Sequence, residues 1–173
     1  LKCIIGIHST KLGPALGGCR LWPYASEEAA LFDVLRLSRG MSFKNAAAGL
    51  PIGGGKGVII ADPSQKSDEL FEAYAECVES LNGRYLTAED VNTDTHDADI
   101  MLRKTQYVVG RADVSGAPSP LTAIGCFDGI RATAMSVFGS DNLDGMTIAV
   151  QGLGKVGYDL AERLHKAGAN LIV

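Results

Sequence analysis

The stretch that most narrows the possible folds is Thr147-Ile148-Ala149-Val150 followed by Gln151-Gly152-Leu153-Gly154-Lys155-Val156-Gly157. An apolar strand entering a GxGxxG turn is an α/β signature when a helix and a second strand follow. Both follow here: Leu160, Leu164 and Ala167 recur at helical spacing up to Gly168, and Leu171-Ile172-Val173 is strand-like. In such a unit the first glycine permits the tight turn, the second lets a pyrophosphate approach the backbone, and the third allows close helix packing. GxGxxG alone is weak, but in this context it points to a bound dinucleotide, with Gly152, Gly154, Lys155, Val156 and Gly157 as the candidate contacts. The acidic residue that would hold the ribose lies near or beyond Val173, so these residues do not separate NAD from NADP.

The chain upstream alternates in the same way. Ile4, Ile5 and Ile7 predict a strand ending at His8-Ser9, Gly13-Pro14 a turn, and Leu16 to Arg20 a second extended piece. Ser26 predicts a helix start, with Glu27 and Glu28 in its first turn and Ala30, Val34, Leu37 and Met41 at helical spacing. With Leu31 and Leu35 beside them, that helix is expected to bury a broad face. Val58-Ile59-Ile60-Ala61 reads as a strand buried on both sides, fed by Gly53-Gly54-Gly55-Lys56-Gly57. A helix from Ser67, a strand at Tyr85 to Ala88, a helix around Thr95 to Arg103 and a strand at Tyr107 to Val109 complete the unit. Residues 110–120 are rich in Gly, Ser and Pro and read as a loop and hinge before a helix from Leu121 to Phe138. The expected division is therefore a domain over 1–120, a connecting helix over 121–140, and the start of a dinucleotide-binding domain over 141–173.

Composition excludes several classes. The 16 basic and 20 acidic side chains give a net charge of −4 with no basic cluster, so a nucleic-acid surface is not expected. The longest uncharged stretch, Val114 to Phe127, contains Pro118 and Pro120 and is too short to span a bilayer. Cys3, Cys19, Cys77 and Cys126 have no metal-ligand spacing, and His8, His96 and His165 are isolated, so no metal is expected and reduced thiols suit a cytoplasmic location. Glycine is the outlier, 21 residues of 173, and its clusters mark places where backbone must approach something closely. A start at Leu1 and a stop inside an apolar run read as a fragment, which by itself is expected to be inactive.

Chemistry-bearing residues gather in the first domain. Gly53-Gly54-Gly55-Lys56 is not a phosphate-binding P-loop, because Leu50 and Gly57 stand where that motif needs Gly and Ser or Thr. It leaves Lys56 between glycines at the mouth of a strand, where burial would lower its pKa. A solvated lysine on a flexible turn is the plainer alternative. Lys44 follows Met41 and precedes small residues, an apolar neighbourhood, and Asp90 ends a strand, where a carboxylate can project into a cleft. An ion pair plus a surface charge would explain these three without chemistry. Together they also suit amino-acid oxidation: one cation for the substrate carboxylate, one amine of lowered pKa for proton transfer with water, one carboxylate for the substrate amine.

The order of these motifs resembles the Glu/Leu/Phe/Val amino-acid dehydrogenases, most closely the leucine, valine, phenylalanine and tryptophan branch. The matching stretches run from Gly13 to Pro63, Leu81 to Thr93 (LNGRYLTAEDVNT), Pro118 to Gly125 (PSPLTAIG) and Val150 to Gly157 (VQGLGKVG). The resemblance implies an α/β fold class: an N-terminal substrate and oligomerisation domain, a cleft, and a Rossmann domain of which this chain carries the first strand-helix-strand. It implies Lys44 at the substrate carboxylate, Lys56 as the catalytic lysine and Asp90 as the acid/base for the amino group. It also implies Gly17 and Gly18 as backbone lining of the pocket, and Met41 near the carboxylate. Glutamate-acting relatives carry a lysine immediately before the paired glycines, and this chain has Leu16 there. An apolar wall cannot compensate a buried carboxylate, so an aliphatic or aromatic substrate is favoured. Leu50-Pro51-Ile52 and Gly57 look closer to the glutamate branch, but Leu16 would touch the side chain directly. The expected activity is NAD-linked, reversible oxidative deamination of an apolar L-amino acid to its 2-oxo acid and ammonia by a homo-oligomer. Glutamate dehydrogenase and a non-catalytic amino-acid-binding relative are the alternatives.

Overall fold

The structure is a computed structural model that describes residues 1–110 and 118–173. Most of the loop and hinge expected over 110–120 therefore lies outside the described residues. Two compact units divide the chain, Leu1–Gly116 and Ala117–Val173.

The first unit is organised around one strand. β1 (Cys3–Ser9) runs antiparallel to β4 (Gly53–Ile60), with Gly6 opposite Lys56. β2 (Ala15–Leu16) pairs parallel with the start of β4 and β3 (Cys19–Trp22) with its end, so Gly17-Gly18 form the step between them. β5 (Tyr85–Leu86) extends the sheet beyond β2. The strand expected at Tyr107 to Val109 is reduced to one bridge between Thr87 and Val108.

Side chains on a strand alternate between its two faces, and β4 is buried on both. Val58 packs with Ala30 and Val34 of α1 (Glu27–Ala47). Ile59 packs with Phe71, Tyr74, Ala75 and Val78 of α2 (Asp68–Glu79) and with Ala98 and Met101 of α3 (Thr95–Met101). Ser26 and Ser67 cap the first two helices, accepting from the backbone N–H of Ala29 and Leu70.

One expectation fails on α1. Its buried residues are Ala30, Val34, Ser38 and Asn45, Leu37 and Met41 are half-buried, and Leu31, Phe32 and Leu35 are exposed. The sheet beneath explains the difference. Gly6 lies against Val34 and Gly54 against Ser42, so the helix comes close to the sheet, and a close approach admits small side chains. The large apolar residues are left on the flank.

The second unit has the order strand, glycine turn, helix, strand. β6 (Thr147–Ala149) pairs parallel with β7 (Asn170–Ile172) through α5 (Lys155–Lys166), and α4 (Ser119–Phe138) completes a small core of Ala134, Leu143, Val150, Leu164 and Ala169. The chain is thus a mixed α/β structure ending in the first strand-helix-strand of a Rossmann arrangement. Among the described residues no helix is long and apolar enough to cross a membrane.

Candidate active site

Lys56 sits in the middle of β4 and not at its mouth, because the strand begins at Gly53 and not, as expected, at Val58. A run of glycines is a poor strand former. Here glycine is needed because neighbours occupy the space of its side chain: a Cβ on Gly57 would collide with the hydroxyl of Tyr74, and one on Gly55 would stand 2.7 Å from the ring of Tyr85. Both phenols lie on the α2 side of the strand. Lys56 alternates with them onto the face shared by Gly54 and Val58, which α1 covers. Its residue exposure is 4%.

A buried ammonium needs a partner, and Asp90 supplies it. Lys56 Nζ lies 2.9 Å from Asp90 Oδ1. Asp90 reaches this point because Glu89 bridges to Cys19 of β3, and because the side chain of Thr93 accepts the Asp90 N–H at 2.7 Å and donates to the Cys19 carbonyl at 2.9 Å. Gly18 gives the loop room: a Cβ there would come within 2.8 Å of the Asp90 Cβ.

Arg20, which sequence reasoning passed over, completes the cluster. Its Nε donates to Asp90 Oδ2 at 3.1 Å and its Nη1 to Asp33 Oδ2 at 3.1 Å, while the Tyr24 hydroxyl donates to the same Asp33 oxygen at 2.6 Å. A charged residue between Cys19 and Leu21, both fully buried, was the available signal, since a charge placed between core residues requires a partner. Asp33 and Tyr24 had no such signal: they come from α1 and the turn before it.

Burial pushes the Lys56 amine below its ordinary value; the Asp90 carboxylate opposes that shift, and the Arg20 cation adds to it. Burial acts to raise Asp90, but the charge and hydrogen bond of Lys56, the Val91 N–H and Arg20 outweigh it and hold the carboxyl below the usual carboxylate range. The Tyr24 phenol is pushed up by burial and by its bond to Asp33, so it remains a neutral donor. The result is a carboxylate held from two sides next to an amine that gives up its proton more readily than a free lysine.

The other predicted positions are arranged around the same sheet. Leu16 is half-buried opposite Gly54, and the Gly17 carbonyl accepts from the Tyr85 hydroxyl at 2.5 Å. Asn45 donates to the Gly53 carbonyl at 2.7 Å, which fixes the last turn of α1 against that end of β4. Lys44 belongs to this turn but is exposed, a correction to the apolar surroundings expected for it. Asn45 takes the inward position, and the adjacent residue on a helix points elsewhere.

In the second unit Gly152 has φ of +88°, a Cβ on Gly157 would collide with the Gly152 carbonyl, and Gly154 caps α5 without a side-chain hydrogen bond. Lys155 and Val156 open the helix, the first exposed and the second half-buried. First-turn N–H groups with no side-chain cap, reached by a turn that only glycine can make, fit a pyrophosphate.

Residues 1–107 match the Glu/Leu/Phe/Val dehydrogenase dimerisation domain. Leucine dehydrogenase of Bacillus subtilis (strain 168) is 56% identical over 177 aligned residues, which cover 100% of this chain and 49% of the relative. The crystal structure of L-tryptophan dehydrogenase from Nostoc punctiforme aligns with a TM-score of 0.70 at 51% identity, over 98% of this chain and 49% of that one. A hetero-hexameric glutamate dehydrogenase from Thermus thermophilus, in a leucine-bound form, aligns with a TM-score of 0.81 at 24% identity over 98% and 44%, a likeness of fold. The chain spans about half the length of the curated relatives it matches.

Proposed function

The chain belongs to the Glu/Leu/Phe/Val dehydrogenase family, and from that premise we propose that its protein oxidises an apolar L-amino acid to the 2-oxo acid and ammonia with NAD. The observation that carries the reading is the buried Lys56–Asp90 pair, an amine of lowered pKa beside a fixed carboxylate. The NAD site is assigned to Gly152, Gly154, Lys155, Val156 and Gly157, whose turn fits a dinucleotide. When bound, the nicotinamide accepts hydride from the substrate α-carbon.

This chain's residues then divide the work. Lys44, exposed at the end of α1, binds the substrate carboxylate by a charge-assisted hydrogen bond, with Met41 alongside. Gly17 and Gly18 line the pocket with backbone, and Leu16 forms its side-chain wall. Asp90 holds the substrate amine and exchanges a proton with it. Lys56 takes a proton from the water that attacks the substrate's iminium carbon, a role its lowered pKa favours.

Leucine and tryptophan dehydrogenases among the relatives support an apolar substrate, as does Leu16. Four free cysteines among the described residues suit a reducing, cytoplasmic setting. Self-association is supported by the dimerisation domain matched over residues 1–107 and by the exposed Leu31, Phe32, Leu35 and Phe43 of α1. The test is NAD reduction by the full-length protein with leucine, valine, phenylalanine, tryptophan and glutamate. Turnover of an apolar amino acid is expected; activity on glutamate alone, or on none of the five, would overturn the reading.

A further inference from the structure

The Lys56–Asp90 pair is not isolated. Asp90 presents Oδ1 to Lys56 and Oδ2 to Arg20, while Arg20 is itself held by Asp33, whose oxygen also accepts from Tyr24. The order Tyr24, Asp33, Arg20, Asp90, Lys56 joins α1, β3, the loop after β5 and β4 through consecutive polar contacts. Among the described residues, Arg20 links Asp33 to Asp90. A guanidinium suits this place because its planar fork donates in two directions at once, which an ammonium cannot do in fixed geometry.

We infer that Arg20 is a positioning residue: anchored by Asp33 and Tyr24, it fixes one carboxylate oxygen of Asp90 so that the other stays on Lys56 and both meet the substrate in one orientation. The inference rests on the proposed roles of Lys56 and Asp90. Without Arg20 the Asp90 carboxylate loses a donor and can rotate, and a carboxylate no longer shared draws Lys56 into a stronger ion pair. The titratable groups facing Lys56 are Asp90, from the loop after β5, and Arg20, from β3; β1 places Gly6 opposite it, α1 contributes Asp33 through Arg20, and Cys19 of β3 acts on it only from the far face. Tyr74 and Tyr85 lie on the other face of β4. Among the facing groups Arg20 is the cation, so its removal shifts Lys56 upward and moves the pH at which the amine becomes neutral to a higher value.

Steady-state kinetics across pH on full-length Arg20→Gln, Arg20→Lys and Asp33→Asn variants test this. Arg20→Gln is expected to lower kcat about 10- to 100-fold, with KM for NAD unchanged and the rising limb of the kcat profile moved to higher pH. Arg20→Lys restores a cation without the fork, so the limb returns towards its original pH while kcat stays low. Asp33→Asn loosens the anchor of Arg20 but leaves its charge in place, so kcat falls by less than in Arg20→Gln and the limb does not move to higher pH. Wild-type kcat and limb in Arg20→Gln would overturn the inference. So would losses in all three variants that track loss of folding, with the limb unmoved. Lys56→Ala and Asp90→Asn are measured alongside: retained kcat in that pair overturns the catalytic reading itself, whereas loss in that pair with a silent Arg20→Gln overturns only the role of Arg20.

Discussion

Asp90 divides its two carboxylate oxygens between two cations, Oδ1 at 2.9 Å from Lys56 Nζ and Oδ2 at 3.1 Å from Arg20 Nε. A carboxylate shared in this way cannot turn without breaking one charge-assisted bond, so a loop residue acquires the fixed geometry of the strand beside it. Lys56 is less exposed than its partner, with a side-chain exposure of 5% against 24%. Solvent therefore reaches the pair from the Asp90 side.

The two lysines are expected to fail differently when replaced. Lys44→Ala removes the hydrogen bond proposed to hold the substrate carboxylate, so KM for the amino acid is expected to rise steeply with NAD affinity hardly changed. Lys56→Ala lowers kcat by roughly two to four orders of magnitude with a smaller effect on KM, because a proton-transferring amine acts mainly in the transition state. Small amines added to Lys56→Ala are expected to restore part of kcat. Equal losses confined to KM in both variants would make Lys56 a second substrate anchor.

Asp90 ties the ion pair to acid stability. Its folded pKa lies below the ordinary carboxylate value, so its contribution is fully present above that value, about 3.9, and is lost as pH falls through the folded pKa. Asp90→Asn leaves the Lys56 ammonium buried without its counter-charge and is expected to cost about 1–3 kcal/mol at neutral pH. The gap between wild-type and variant urea midpoints should begin to narrow below about pH 4 and close only as pH falls through the lower folded pKa, where the wild-type carboxyl becomes neutral too. A gap that stays constant from neutral pH down to acid would show that Asp90 does not stabilise the fold as an anion.

Much of this arrangement was legible in the sequence. The strand-turn-helix-strand at the end of the chain follows from apolar spacing and three glycines, and the Ser26 and Ser67 caps were readable because short hydroxyl residues satisfy first-turn N–H groups. Lys56 and Asp90 stood out because each adjoins an apolar run. The misreadings share one cause. Glycines at Gly53 to Gly57 suggested a strand that starts only at Val58, and large apolar residues on α1 suggested a broad buried face, yet the observed arrangement of each follows from packing between segments far apart in sequence. Tyr74 and Tyr85 fill the space above Gly55 and Gly57 on one face of β4, while on the other face Gly54, with Gly6 of β1, admits only a narrow, small-residue stripe of α1. The contact between Arg20 and Asp33 likewise exists only once β3 lies beside the helix.

That packing makes Gly57 a sharp test of the core. Gly57→Ala sets a methyl group against the Tyr74 hydroxyl and is expected to destabilise by about 1–3 kcal/mol. Tyr74→Phe removes the hydroxyl together with its 3.2 Å contact to Thr87, and carries its own smaller cost. In the double variant the two changes relieve each other, so the combined loss should fall short of the sum. A double-mutant cycle on thermal or urea unfolding measures the difference. Strict additivity would mean that the strand shifts to accommodate the methyl group and that Tyr74 does not enforce glycine there.

Leu16 carries the prediction about substrate. It is half-buried in β2, opposite Gly54 and immediately before the Gly17-Gly18 step, so a side chain at this position adjoins the backbone proposed to line the pocket. A leucine there gains from contact with an aliphatic or aromatic substrate and offers nothing to a second carboxylate, whose desolvation would go uncompensated. Leu16→Lys reverses both terms. It is expected to lower kcat/KM for apolar amino acids by about 10- to 100-fold, through lost apolar contact and a desolvated ammonium, and to raise kcat/KM for glutamate from a low base. The asymmetry matters more than either change alone, since a variant that merely misfolds loses activity on every substrate. Paired kcat/KM values for leucine and glutamate, measured on full-length wild-type and Leu16→Lys proteins, decide the matter. An unchanged ratio of the two would remove Leu16 from the substrate pocket and leave the preference to residues elsewhere in the protein.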